Sequence, residues 1–292
     1  MKINKLIALV FVIVLTSLGI SQVYFTEFVD LTNVVIEFLR KSETFLYISS
    51  YSLDNEEIIT EILRLYESGI DVKILLENPS PKLGDLIKID REKSLHHAKF
   101  IVNDSGVLFG SANFTESGLK TGFNDVIIFS DYIDQFKNLF LNLWEEGKVV
   151  DCKPFLVVGY DDVEEKILEH LYNAKNRIYL SVFAFTNEKI FALLKYKESK
   201  GLDIKIITDS WFYSSKLNKY PIRNIKIIDK PMLHHKFMII DNKVILGSAN
   251  FTLNGLNKNF EMVYITQDYL EDYLEVFDFL WGYNCEDDCL KN

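Results

Sequence analysis

The chain contains itself twice. Residues 97–131 (HAKFIVNDSGVLFGSANFTESGLKTGFNDVIIFSD) align without a gap to residues 234–268 (HHKFMIIDNKVILGSANFTLNGLNKNFEMVYITQD) at an offset of 137, with 17 of 35 positions identical. The likeness continues upstream, where residues 44–74 match 176–206 at an offset of 132; the second copy is therefore five residues longer between Lys205 and His234 than the first is between Lys73 and His97. Such a duplication confines the chain to two halves that fold alike and pack together. Each half reads as α/β. A β-rich run (Phe45 to Ser49; Ile178 to Phe183) leads into a stretch of helical periodicity, for which Asp54 and Thr186 are the expected N-caps, and then into a second strand (Val72 to Leu76; Ile204 to Ile207). Each motif block reads as two short strands joined by a tight turn. Each half closes with a further strand and a helix, over Tyr132 to Glu146 and Gln267 to Trp281. Strands alternating with helices imply a largely buried sheet with helices on its faces. The boundary is expected near Val149 to Pro154, giving halves of 22–150 and 151–292.

The repeated residues suit one kind of chemistry. Two residues apart on an extended strand, His97 and Lys99 share a face, as do His234 and Lys236. The next strand ends in Gly-Ser-Ala-Asn and delivers Asn113 or Asn250 beside the pair, glycine permitting the close approach. Lysine charge and asparagine amides suit the nonbridging oxygens of a five-coordinate phosphorus, and histidine serves as nucleophile or proton carrier near neutral pH. One copy holds half the necessary groups; two copies across a pseudo-twofold axis would surround one phosphate. Four of the five histidines (His96, His97, His234, His235) lie in these blocks. No carboxylate-rich or Cys/His cluster accompanies them, so no metal or cofactor is expected. Asp104 and Asp241 each begin a turn, where aspartate commonly bonds nearby backbone. Ser111 and Ser248 read either as donors to phosphate or as strand-end caps. His96 and His235 fall on the opposite face and read as packing or rim residues.

HHKFMIIDNKVILGSANFT resembles the His-x-Lys, Asp, Gly-Ser-x-Asn signature of the phospholipase D superfamily, and residues from about 30 to 282 fit its two-half layout. The compact halves are most similar to its small endonuclease and mitochondrial cardiolipin-hydrolase branch, where many members carry one motif and dimerise. This chain carries both motifs, so a monomer is expected to be active. Five residues separate Asp from Gly in each copy, where many members have six, which reads as a tighter turn. The resemblance implies two mixed sheets flanked by helices, a pseudo-twofold axis, and one active site at the interface. It implies a metal-independent phosphodiesterase in which one histidine forms a phosphohistidine and the other protonates the leaving alcohol. His97, Lys99, Asn113, His234, Lys236 and Asn250 carry over as catalytic, with Asp104 and Asp241 as signature positions. Eleven residues after each motif asparagine the copies differ, Asn124 against Glu261. The family commonly places there a carboxylate that bonds a catalytic histidine. If Glu261 reaches across, His97 is the nucleophile and His234 the acid.

Substrate is less constrained. From Ser214 to Lys236 the chain carries Lys216, Lys219, Arg223, Lys226, Lys230 and Lys236 against Asp229 alone, with Trp211, Phe212, Tyr213 and Tyr220 nearby. Lys216, Lys219 and Arg223 are the expected substrate contacts. This mixture suits single-stranded nucleic acid, an anionic lipid headgroup, or an ordinary solvated loop. A net charge of −10 argues against coating nucleic acid through bulk charge, yet leaves room for a local basic cleft. Lys2 and Lys5 precede an apolar run from Leu6 to Ile20, so residues 1–21 read as a signal peptide or a membrane anchor, with export or tethering to follow. Cys285 and Cys289 either pair or stay free, zinc being a weaker reading for two thiolates without histidine. The leading expectation is a nuclease on DNA or RNA; the alternatives are a phospholipid phosphodiesterase or transphosphatidylase, and a non-enzymatic binder of phosphate polymers.

Overall fold

The computed structural model describes residues 21–90, 93–220 and 222–283. The first half runs β1 (Gln22–Phe25), α1 (Leu31–Leu39), β2 (Phe45–Ser50), α2 (Glu56–Glu67), β3 (Asp71–Leu76), β4 (Ile87–Ile89), β5 (Phe100–Asn103), β6 (Gly106–Gly110), β7 (Asp125–Phe129) and α3 (Ile133–Glu146). The second runs β8 (Leu156–Val157), α4 (Val163–Asn173), β9 (Arg177–Val182), α5 (Glu188–Ser199), β10 (Asp203–Asp209), β11 (Ile225–Ile228), β12 (Lys236–Ile240), β13 (Lys243–Gly247), α6 (Leu253–Asn257), β14 (Met262–Thr266) and α7 (Leu270–Gly282). The two seven-stranded sheets match strand for strand: β1-β7-β6-β5-β2-β3-β4 in one, β8-β14-β13-β12-β9-β10-β11 in the other. Each is mixed, with β2, β3 and β4 parallel like β9, β10 and β11, and the remaining pairings antiparallel. The expected α/β duplication is what the chain adopts.

Burial on both sheet faces explains the near-continuous apolar strands. On the outer faces, α1 and α2 cover the first sheet, and α4 and α5 the second. The inner faces share one core, filled by Phe136, Leu139 and Phe140 of α3 and by Tyr273, Val276 and Phe277 of α7. The helices α2 and α5 are capped one residue later than the sequence suggested. Asn55 Oδ1 accepts from the Ile58 amide at 3.1 Å and Asn187 Oδ1 from the Ile190 amide at 3.0 Å, so the caps are Asn55 and Asn187 rather than Asp54 and Thr186.

Among the described residues no helix is long and apolar enough to cross a membrane. The apolar run of residues 6–20 and the pair Cys285 and Cys289 lie outside the described residues; Cys152 is buried with a free thiol.

Candidate active site

The halves meet by exchanging backbone hydrogen bonds just ahead of the two motif strands. The amides of His97 and Ala98 donate to Phe260 O at 2.9 Å, and the amide of His234 donates to Phe123 O at 2.9 Å. Isolated bridges pair His96 with Phe260 and Leu233 with Phe123, a relation the 137-residue offset maps onto itself. His97 therefore stands on an extended segment entering β5 that is held by the opposite half, while the Lys99 carbonyl already accepts the Gly110 amide of β6 at 3.4 Å. Each motif histidine is thereby delivered to the residue that follows the other half's phenylalanine.

That residue is Glu261 for His97 and Asn124 for His234. His97 Nδ1 lies 2.8 and 3.0 Å from the two Glu261 oxygens, and His234 Nδ1 lies 2.8 Å from Asn124 Oδ1. Both partners present acceptors, so each ring carries its proton on Nδ1 and leaves Nε2 for the reaction. Glu261 is completely buried, and Ser248 Oγ donates to its Oε2 at 2.6 Å while accepting the Met262 amide at 3.0 Å. Ser111 does the equivalent in the first half, donating to Asp125 Oδ1 at 2.9 Å and accepting the Asp125 amide at 3.0 Å. Both serine protons are thus already spent, and Ser111 and Ser248 are braces for the acceptor segment rather than phosphate contacts.

Lys99 and Lys236 are 1% and 2% exposed, an uncommon situation for ammonium groups. Lys99 Nζ donates to His97 O and Lys236 Nζ to His234 O, leaving two donors on each without a carboxylate partner. Asn113 Oδ1 and Asn250 Oδ1 are buried with no partner, and an unmatched buried acceptor costs about 1–3 kcal/mol. The same amide oxygen is left without a partner in both copies. A Cβ at Gly118 would fall 2.2 Å from Asn113 O, and one at Gly255 would fall 2.3 Å from Asn250 O, which accounts for the Gly-Leu repeated after each motif.

The electrostatics describe a pocket short of negative charge. Burial pushes His97 down to about 4, against the pull of Glu261 and with the push of Lys99, and burial pushes Lys99 down to about 7. Burial and the two lysines hold His234 well below its ordinary value, and Lys236 is lowered by burial and by Lys99. Burial would raise Glu261, but His97, Lys99 and Ser248 keep it ionised below the usual range. Two lysines and two histidines face one carboxylate; a bound anion relieves all four.

The aromatic walls are a feature the sequence reasoning passed over. Tyr51 packs against His97 (ring centroids 5.3 Å apart) and beneath Lys99 Nζ, and Phe183 packs against His234 (5.1 Å) and beneath Lys236 Nζ. These two residues correspond at the 132-residue offset, so an aromatic kept in both copies just beyond a strand was the available signal. On the second-half side the row extends: Trp211, 49% exposed, stacks on Phe183 at 6.5 Å.

Several sequence expectations move away from the site. Asp104 accepts the amides of Glu43, Thr44 and Phe45, and Asp241 those of Lys175, Asn176 and Arg177. Each aspartate thus splices the turn after its motif strand to the chain entering the neighbouring strand, the structural use that its turn position suggested. Arg223 is also displaced. It precedes β11 at the end where Ile225 registers with Ile206, and its amide bonds Glu198 at 2.9 Å. The histidine end of that sheet is the opposite one, where Asp209 accepts the Leu233 amide at 3.3 Å. Lys219 lines a depression on α5 with Phe191 and Lys195; Lys216 borders that depression and also lies beside Trp211 and Thr186. Lys226 donates to Trp281 O at 2.7 Å and to Tyr283 O, tying β11 to the end of α7. His96 packs as expected, its Nε2 2.8 Å from Ser49 Oγ and its ring tilted on Phe260. His235 does not sit at a rim: it is fully buried between Asp125 and Glu27.

A family described as "Cardiolipin synthase, PLD-like domain" matches residues 35–144 and 167–281. Mitochondrial cardiolipin hydrolase of Mus musculus is 30% identical over 125 residues, covering 40% of this chain and 57% of that protein. The chain thus spans about half the length of the curated relatives it matches. Polyphosphate kinase from Porphyromonas gingivalis superposes with a TM-score of 0.69 at 16% identity over 89% of this chain and 49% of that one. Phosphatidylserine synthase from Haemophilus influenzae Rd KW20 does so with a TM-score of 0.64 at 13% identity, over 89% and 86%. At such identities the likeness is one of fold.

Proposed function

The chain belongs to the phospholipase D-like family, and from that premise we propose that it is a metal-independent phosphodiesterase working through a phosphohistidine on His97. The observation that carries the reading is the unequal pair of acceptors: a buried carboxylate behind His97, a neutral amide behind His234. Glu261 stabilises positive charge on the His97 ring and fixes Nδ1–H, so Nε2 is the better nucleophile. Asn124 orients His234 without adding negative charge, so its imidazolium gives up a proton readily.

In the first step His97 Nε2 bonds phosphorus, the bond to the leaving oxygen breaks, and His234 Nε2–H protonates that oxygen. In the second, His234 takes a proton from water, the water oxygen bonds phosphorus, and the bond to His97 breaks. Lys99, Lys236, Asn113 and Asn250 neutralise and hold the nonbridging oxygens. The substrate's own anionic charge raises His234 enough for it to arrive protonated. One chain supplies every group, so the monomer is the active unit.

For substrate we favour single-stranded DNA or RNA. The row His234–Phe183–Trp211 leads from the leaving-group side to the surface, with Lys216 beside it, and offers stacking faces next to a phosphate site. A phospholipid is the second reading, favoured by the apolar run of residues 6–20, which would export the protein or tether it to a membrane, and by the named activity of the mouse relative. Incubating the full chain in EDTA with single-stranded DNA, RNA, duplex DNA and cardiolipin vesicles tests all of this. Cleavage of single strands is expected; turnover of vesicles alone reverses the substrate, and a requirement for added divalent metal refutes the mechanism.

A further inference from the structure

A second histidine–carboxylate pair lies one residue behind the His234–Asn124 contact, with no counterpart behind His97–Glu261. Where the second half has Glu261–Met262 the first has Asn124–Asp125, and where the first has His97–Ala98 the second has His234–His235. The first-half carboxylate is therefore shifted by one position, and so is the imidazole it meets. Asp125 Oδ1 lies 2.9 Å from His235 Nδ1, and Glu27 Oε1, just after β1, lies 2.7 Å from His235 Nε2. Asp125 is further held by Ser111 Oγ at 2.9 Å and Tyr273 OH at 3.0 Å. A ring with an acceptor carboxylate at both nitrogens must carry both protons, because a bare nitrogen would set its lone pair against an anion. Burial opposes that charge, but Glu27 and Asp125 override it and lift His235 to about 9. Its charge is felt by His234, which Lys236, Lys99 and His97 also act on, and the Tyr273 hydroxyl donates to Asp125 on the core side.

We propose that His235 is a positioning residue for His234: the His235–Asp125 contact is a rung on the core face that fixes the adjacent His234–Asn124 rung on the site face. Glu27 extends the clamp to the chain entering α1, so the first strand of the molecule is tied to the second-half histidine. His235 does not touch the reacting atoms. It sets the register between the 123–125 and 233–235 segments, already linked by the backbone bond from His234 N to Phe123 O at 2.9 Å. Its charge, lying behind His234, also disfavours a lasting second cation there, so the His234 proton is handed on to the leaving oxygen. The role rests on the reading that His234 serves the leaving group.

Two measurements on His235→Gln, and on Glu27→Gln as the milder change, test it. In ¹⁵N NMR at pH 7.5 the wild-type chain should show one histidine protonated on both nitrogens, absent in His235→Gln, and the His234 ring signals should shift in both variants. In first-turnover kinetics over a series of phosphodiesters, His235→Gln should slow alkoxide departure about 30-fold, a partial loss of the 10²–10⁴-fold that acid–base help supplies. Departure of 4-nitrophenolate, which needs no proton, should change less than threefold. Glu27→Gln should give the same pattern at about one-third the size, and decides the matter if His235→Gln does not fold. Equal slowing across the series, or unshifted His234 signals, overturns the proposal. A wild-type chain that cleaves no phosphodiester refutes the proposed reaction instead, and the NMR result then decides the role of His235 alone.

Discussion

Replacing Glu261 with glutamine changes one atom and should remove most of the activity. Glu261 Oε2 accepts from Ser248 Oγ at 2.6 Å and from His97 Nδ1 at 3.0 Å, while the other oxygen lies 2.8 Å from the same Nδ1. An amide has no orientation that serves all three contacts. With its oxygen in the Oε2 place it satisfies Ser248 and His97 but thrusts an NH₂ group at the Nδ1 proton. Reversed, it donates to Nδ1 and drives the ring proton to Nε2, the atom that must attack phosphorus. The equivalent aspartate-to-asparagine change in a serine hydrolase triad costs about 10⁴ in kcat through the wrong tautomer. Here the neutral amide also forfeits the charge that stabilises a phosphorylated ring, so a loss of roughly 10³–10⁴ is expected, about 4–5.5 kcal/mol of barrier. The assay is the burst of 4-nitrophenolate from a nitrophenyl diester together with acid-quench trapping of labelled phosphoenzyme. Both should fall together while the melting temperature stays within a few degrees. A burst within tenfold of wild type, or label recovered on His234, would show that Glu261 does not prepare the nucleophile.

Lys99→Met should cut kcat/KM about 10²–10³-fold, the usual cost of one oxyanion donor, and yet raise the melting temperature, because it removes a buried ammonium whose only fixed acceptor is a carbonyl; a clear fall in calorimetric Tm would contradict the reading. Stability should fall as the pH drops from neutral toward 4. His97, at about 4 when folded and 6.5 when unfolded, costs stability as pH falls below 6.5, whereas His235, raised to about 9, contributes fully below 6.5 and is lost as pH rises through 9. Above neutral pH the two lysines lowered by burial oppose the His235 loss, so the acid arm decides: denaturant titrations from pH 7 to 4 should show it, with inorganic phosphate or tungstate flattening it; a profile that is level without the anion is incompatible. Trp211→Ala should weaken single-stranded DNA binding about 5–150-fold, from roughly 1–3 kcal/mol per stacked base, without altering nitrophenyl diester turnover. Fluorescence anisotropy decides it, and unchanged affinity would remove Trp211 from the substrate path.

The duplication made the fold and the two half-sites legible, because a repeat with paired His, Lys and Asn constrains geometry far beyond local propensity. The difference between Asn124 and Glu261 was also visible as a broken correspondence. What was not visible depends on contacts across the dyad. Nothing local to His97 announces that its backbone is held by Phe260, or that Ser248 spends its proton on the acceptor Glu261. His235 was read as a packing or rim residue, and its two carboxylate partners were not foreseen because they come from 110 and 208 residues away. The basic run read as one patch is broken up by β11 and the turns before it, which carry Arg223 to the wrong end of the sheet and bury the Lys226 amine against carbonyls. The caps were missed by one residue because Asp54-Asn55 offers two capping side chains in a row, and only the phase of the following helix chooses between them.

Joining both motifs in one chain has a consequence that two identical chains could not reach. Across an exact dyad each histidine must have the same partner, so nucleophile and acid differ only once a substrate breaks the symmetry. Here the asymmetry is written into the sequence at three positions: a carboxylate withdrawn from behind His234, moved one residue on to Asp125, and matched by a histidine at 235. The withdrawal favours proton release from His234, and the relocated pair keeps that segment anchored although its site-facing partner is only an amide. If that is the logic, Asn124→Glu should not improve the enzyme by restoring symmetry. A carboxylate at position 124, next to Asp125 in the chain, would raise the proton affinity of His234 and slow its donation to the leaving oxygen. The expected result is a bell-shaped rate profile displaced toward higher pH with a lower maximum; a variant faster than wild type at neutral pH would show that the neutral partner has no catalytic purpose.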